Sequence, residues 1–158
     1  MEGEPKPAGE KRLTLDQKLE VQYCIPLWMR NEQILRNISK VKGRISEYKG
    51  LRGEPIAVVC FGPSLKKTWE QIKPFKWIMT CSGSHKFLIE RGIIPTWHME
   101  VDPRKHKIDL LGPPHPAVIY LPSSACHPDY YDWLVQHNAK VEMWHVFSAE
   151  EDAAQVLP

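Results

Sequence analysis

The chain has 158 residues, 42% hydrophobic and 25% charged, which is material for a buried core and argues against wholesale disorder. Its 21 Lys and Arg against 19 Asp and Glu leave a net charge of +2, too balanced for a protein whose main task is coating nucleic acid. No run approaches the roughly 18 apolar residues of a membrane span, and the opening MEGEPKPAGEKR lacks the apolar centre of a secretory signal.

The length predicts one domain with an appendage. The four cysteines, Cys24, Cys60, Cys81 and Cys126, contain no CxxC pair. That argues against a disulfide framework or zinc finger as the organising feature and predicts a reducing, cytoplasmic setting, while the balanced charge and the lack of a long apolar run predict no nucleic-acid or membrane partner. Residues 1–12 are Pro, Gly, Glu and Lys in the main and read as a disordered tail. Residues 13–52 read as a helical arm. Thr14 can cap a first helix, with Gln17 as its box partner and Leu15, Leu19 and Tyr23 on one face. Pro26 interrupts or kinks it. Leu27, Ile34, Leu35, Ile38 and Val41 then form an apolar stripe on a second helix, expected to pack on the main domain. Gly43, Gly50 and Gly53 mark its exit.

From residue 53 onward the pattern changes to alternating strands and helices. Predicted strands are 56–61 (IAVVCF), 77–81, 96–101, 117–121 and 140–146. Predicted helices are 65–73, 85–91 and 128–137, with a proline-rich connection over 111–116. Strand–helix alternation at this spacing predicts an α/β fold: a Rossmann-like parallel sheet of at least five strands sandwiched by helices, with the N-terminal arm outside it.

In such sheets ligands bind beyond the carboxyl ends of the strands. The first strand delivers Gly62-Pro63-Ser64, the second Ser82-Gly83-Ser84, the third Glu100 and Asp102, the fourth Ser123-Ser124 and the fifth His145. Gly62 permits a tight turn and close approach of a ligand. Pro63 suits a first helical turn. Ser64 can cap the helix or contact an anion, and a helix N-terminus there would seat a phosphate. The turn is neither a Walker loop nor GxGxxG. Asp102 is followed by Arg104, Lys105, His106 and Lys107. One carboxylate beside cations fits a magnesium–phosphate site, or an Asp-Pro turn leading into a solvated basic loop. His98, on a strand, reads as a packed side chain rather than a ligand.

The GPSL run at 62–65, the GIIP turn at 92–95 and the strand ending in Asp102-Pro103 together resemble the 6-hydroxymethylpterin diphosphokinase MptE-like family, which also takes in motility accessory factor glycosyltransferases. The resemblance spans roughly residues 55–147. It implies a nucleotide-binding Rossmann-like domain and transferase activity. The substrate is ATP, with diphosphate passed to a reduced pterin, or a sugar nucleotide such as a CMP-activated nine-carbon sugar. A non-catalytic nucleotide-binding module is the remaining alternative. The resemblance assigns Gly62 and Ser64 to the nucleotide pocket and makes Asp102 the acidic, metal-linked residue, with Mg2+ as cofactor. Pro63, Ser82, Gly83, Ser123 and Ser124 join the binding set through their shared edge. Cys60 stands where the family has glycine, and Thr96 where an Asp often follows the proline. The family continues into a further glycine-rich segment and an acidic strand end. Residues 53–158 are therefore expected to be an incomplete domain, with an exposed sheet edge or apolar patch near the C-terminus.

Overall fold

The structure is a computed structural model that describes residues 24–40 and 53–145. The expected tail, the helix capped by Thr14, Val41 and residues 146–158 lie outside the described residues. Among the described residues, no helix is long and apolar enough to cross a membrane.

Five strands form the sheet: β1 (Ile56–Val59), β2 (Trp77–Cys81), β3 (Trp97–Glu100), β4 (Ile119–Pro122) and β5 (Lys140–Val141). All pairs are parallel and the spatial order is β1-β2-β3-β4-β5. Pairing continues past β5, where Trp144 bridges Ser123, so the last strand is interrupted rather than absent over 142–145. An N-terminal helix α1 (Leu27–Ile38) precedes the sheet. The connections carry α2 (Leu65–Thr68) running into a 3-10 turn (Trp69–Ile72), then α3 (Ser84–Ile89), α4 (Lys107–Leu111) and α5 (Pro128–Gln136). The expected parallel α/β architecture with flanking helices and an N-terminal helix is present.

The strand order decides the layering. Every connection steps to the next strand in the same direction. Right-handed crossovers then carry all their helices to one face. The side chains agree. Val59 and Ile78 pack with Leu65, Ile72 and Leu88, and Tyr120 packs with Leu111, Tyr130 and Leu134. The alternate residues face the other way, where Val58 on β1 is 63% exposed while Trp97 and Leu121 on β3 and β4 are buried. Among the described residues, exposed large apolar side chains gather around β1 (Ile56, Val58, Phe61, Phe75) and on α1.

A buried polar chain crosses the helix-covered face. Thr80 Oγ1 donates to Trp97 O at 3.2 Å, so its single proton is used and it accepts from His98 Nδ1 at 3.1 Å. His98 Nε2 is then an acceptor for the Tyr130 hydroxyl at 3.1 Å. Tyr120 accepts from the His115 amide at 2.6 Å and donates to His85 Nε2 at 3.1 Å. Both histidines are thus neutral. Burial first, then the neighbouring His115, holds His85 at about 4. Burial first, then His85, holds His98 well below the usual histidine range. His98 is a packed side chain, as its strand position predicts.

The arm differs from its prediction. Pro26 is the residue before α1 and fixes an extended entry with φ −57° and ψ 147°. Of the expected stripe, only Ile34 is buried; Leu27, Leu35 and Ile38 are exposed. The helix instead docks through Arg30, Gln33 and Asn37. Asn37 Nδ2 donates to Ser124 O at 2.9 Å and Cys126 O at 2.7 Å. Gln33 Nε2 reaches Pro103 O at 3.4 Å and Lys40 pairs with Asp132. These bonds cap otherwise unpaired loop carbonyls, a stronger demand than burying apolar surface already short of cover. Asn37→Ala should therefore destabilise the chain by about 2 kcal/mol, read as a shift in denaturation midpoint. An unchanged midpoint would show that the Asn37 bonds contribute nothing to the fold.

Candidate functional site

The carboxyl ends of β1, β2 and β3 meet at one edge. The peptide after β1 turns at Gly62, whose amide donates to Cys60 O at 3.1 Å. Gly62 does not have a positive φ, and a Cβ there would meet only Ser64 Oγ, at 3.9 Å. The fold does not demand glycine at this position, and its absent side chain leaves the backbone open. Phe61, Gly62, Pro63, Leu65, Lys66 and Phe87 line a cleft of about 310 Å³ there. Gly83 is different: a Cβ would stand 2.9 Å from the Phe61 ring, so glycine leaves room for that ring to lie against the turn after β2.

The helix predicted over 65–73 is divided into one α turn and one 3-10 turn. So short a helix has little dipole to offer an anion. Ser64 precedes it with helical φ −64° and ψ −28°, and its side chain makes no capping hydrogen bond. Ser64→Ala should consequently change stability by less than about 0.5 kcal/mol, against the roughly 1 kcal/mol of a working cap. A thermal melt decides between the two.

The charged part of the edge lies at β2 and β3. Ser82 has φ +54°, a left-handed conformation that a non-glycine residue adopts at a cost of about 1 kcal/mol or more. Its Oγ accepts from Lys107 Nζ at 3.0 Å. The same Nζ stands 3.1 Å from Asp102 Oδ2, and both side chains are nearly buried. Arg104 closes on the other side of the carboxylate, Nε to Oδ1 at 2.9 Å and Nη2 to Oδ2 at 2.5 Å. The Arg104 hydrogen bonds, with Lys107 behind them, hold Asp102 far below the usual carboxylate range despite partial burial. Glu100 Oε1 accepts the amides of Val101 and Asp102 at 2.9 and 3.0 Å, which fixes the turn presenting Asp102.

Magnesium needs free oxygen donors. Both Asp102 oxygens are already bonded to cations, and the described residues contain no group of three or more His, Cys, Asp or Glu side chains able to hold an ion. This donor set does not fit a protein-held magnesium ion. Two cations anchored by one carboxylate fit a phosphate instead.

Of the residues singled out from sequence, Gly62, Pro63 and Ser64 border or adjoin the apolar cleft, Gly83 meets Phe61, and Ser82 and Asp102 converge on Lys107. Ser123 and Ser124 sit at the end of β4, but both are buried. Ser123 Oγ accepts the Ala125 amide, and Ser124 Oγ bonds His145 Nδ1 at 2.6 Å. The Ser123 hydroxyl serves the β4–α5 turn, and the Ser124 hydroxyl ties the end of β4 to His145 beyond β5. Lys107 joins the site although the sequence around it reads as a basic loop. Its signal is the i, i+3 pair Ile108 and Leu111, which anchors α4 and turns Lys107 inward. Cys60 and Cys81 are neighbours at the strand ends. Burial, then the Cys60 thiol, pushes Cys81 up to about 11, so it stays a thiol and not a nucleophile.

The chain matches the family model described as "6-hydroxymethylpterin diphosphokinase MptE-like" over residues 32–144. No curated protein matches it. Among solved structures it is similar to a MAf glycosyltransferase from Magnetospirillum magneticum AMB-1, with TM-score 0.57 and 16% identity over 77% of this chain. That alignment spans 20% of the glycosyltransferase chain, so the likeness is one of fold. Both names describe transferases. With its parallel sheet, its GPSL turn and its Asp-Pro strand end inside the matched span, this chain belongs to the 6-hydroxymethylpterin diphosphokinase MptE-like family.

Proposed function

We propose that this chain forms the nucleotide-phosphate-binding part of a transferase, with the phosphates seated at the ends of β1 to β3. The observation that carries the reading is Lys107, held by Asp102 and by a strained Ser82 at the strand ends. Strain of this kind persists where the surroundings over-determine a residue, and it gathers at ligand sites. Lys107 and Arg104 meet phosphate charge. Asp102 positions both cations. Gly62 leaves backbone open for the rest of the nucleotide, and Lys66 borders the same cleft.

In the diphosphokinase form, a pterin hydroxymethyl oxygen attacks the β-phosphorus of ATP and AMP departs. Negative charge builds on the departing bridging oxygen, and positioned cations there lower the barrier without a covalent intermediate. The described edge supplies the cations, and the alcohol proton goes to solvent. The glycosyltransferase form uses the same phosphate seat under a sugar nucleotide, and the fold likeness to the MAf enzyme supports keeping it as the second reading. Incubation with ATP plus a hydroxymethylpterin, and separately with a CMP-activated nine-carbon sugar plus acceptor peptide, is followed by product analysis. Pterin diphosphate supports the first form and free CMP with glycosylated peptide the second. Nucleotide binding without either product leaves the chain as the binding module alone. No nucleotide binding overturns the proposal.

A further inference from the structure

The cleft at the end of β1 is poor in groups that read hydrogen-bonding edges. Phe61, Pro63, Leu65 and Phe87 line it with apolar surface, and Lys66 brings its one polar side chain. The backbone there is largely engaged. The Gly62 amide donates to Cys60 O at 3.1 Å, Gly62 O accepts the Leu65 amide at 3.0 Å, and Pro63 has no amide hydrogen. Phe61 stands out in this lining. Its side chain is 53% exposed, yet its ring is braced against Gly83, where even a Cβ would come within 2.9 Å. Phe87 has less to offer a ligand, because the Arg91 guanidinium lies 3.5 Å from its ring centre and takes one face. Gly83 adjoins Ser82, whose hydroxyl holds Lys107 Nζ at 3.0 Å. The aromatic cleft and the cations therefore border each other along two adjacent residues.

We propose that this cleft seats the base of the nucleotide by stacking on Phe61, and that the site accepts nucleotides with little regard to which base they carry. The inference rests on the phosphate seat at Lys107 and extends it to the other end of the ligand. Every base presents a π face to an aromatic side chain, so stacking tolerates all of them. Strong discrimination needs buried donors and acceptors aimed at a base edge, which this lining lacks. A volume of about 310 Å³ lies at the small end of ligand clefts and suits one base with its sugar.

The test is calorimetric titration of the full chain with tripolyphosphate, ATP, GTP and CTP, repeated for Phe61→Ala, Phe61→Leu and Phe61→Tyr. The unaltered chain should bind ATP at least about fivefold more tightly than tripolyphosphate, and the three nucleotides within about fivefold of one another. Phe61→Ala and Phe61→Leu should each weaken all three nucleotides by about tenfold and leave tripolyphosphate within about twofold. Phe61→Tyr keeps the ring and should keep the affinity. Should Phe61→Ala fail to fold, Phe61→Leu, which retains apolar bulk without a ring, carries the test. Nucleotide affinity unchanged in Phe61→Leu overturns the base seat, and discrimination among the bases beyond about fiftyfold overturns the claim of tolerance. In both cases tripolyphosphate that still binds leaves the phosphate seat standing. Nucleotides that bind through Phe61 while tripolyphosphate does not bind support the base seat and remove the phosphate one. No binding of any of the four overturns both.

Discussion

Acidification from pH 7 towards pH 4 should cost the fold about 3 kcal/mol through His85 alone, most of it before the carboxylates begin to protonate. His85 sits fully buried and neutral at about 4, whereas an exposed histidine titrates near 6.5. Between those values the unfolded chain binds more protons than the folded one, so stability rises with pH and is lost as pH falls through this window. A displacement of this size is worth about 3 kcal/mol at 1.36 kcal/mol per pH unit. His98, also held well below the usual histidine range by burial, adds a loss of its own that begins in the same window. Neither ring can accept a proton cheaply, because each acceptor nitrogen already takes a tyrosine hydroxyl, Tyr120 for His85 and Tyr130 for His98. Urea midpoints at pH 7.5, 6.5, 5.5 and 4.5 measure the slope. His85→Gln should flatten it by about one proton. A flat profile between pH 6.5 and 5 contradicts the neutral, buried pair.

Lys107→Met should weaken pyrophosphate and ATP binding by about tenfold to a hundredfold, the worth of one charge-assisted contact in a partly desolvated site. The fold should lose only about 1 kcal/mol, because Arg104 still neutralises Asp102. The loss should be the same with and without magnesium, since Lys107 meets phosphate directly. A Kd unchanged by the substitution makes Lys107 a structural ion pair. A loss seen only with magnesium returns Asp102 to the role of metal ligand.

The strands were readable because each is a short β-branched or aromatic run bounded by Gly, Pro or Ser. Trp77–Cys81 was delimited to the residue. The first run overshot by two, because Cys60 and Phe61 already belong to the turn that Gly62 closes. Helix α4 was missed: five residues are too few to display a period, and the basic side chains before it read as a loop. The arm's existence was legible but its orientation was not. Apolar spacing shows which face is greasy, while the docking of α1 is decided by Asn37 and Gln33 reaching carbonyls some seventy to ninety residues away. The site divides in the same way. Asp102 and the Gly62 turn follow from strand ends. The Ser82–Lys107 contact joins residues 25 apart through a left-handed serine, and no local pattern announces it. Ser123 and Ser124 lie at a strand end as their position predicts, yet both are buried, the first hydroxyl bonded in the turn and the second to His145.

The most direct test of the phosphate seat is an amide-shift titration of the isotopically labelled chain with pyrophosphate and then with ATP. Shifts that saturate together at residues 62–66, 82–83 and 102–107, and that vanish in Lys107→Met, are the predicted result. Saturable shifts confined to other parts of the sheet, or none at all at millimolar ligand, contradict it.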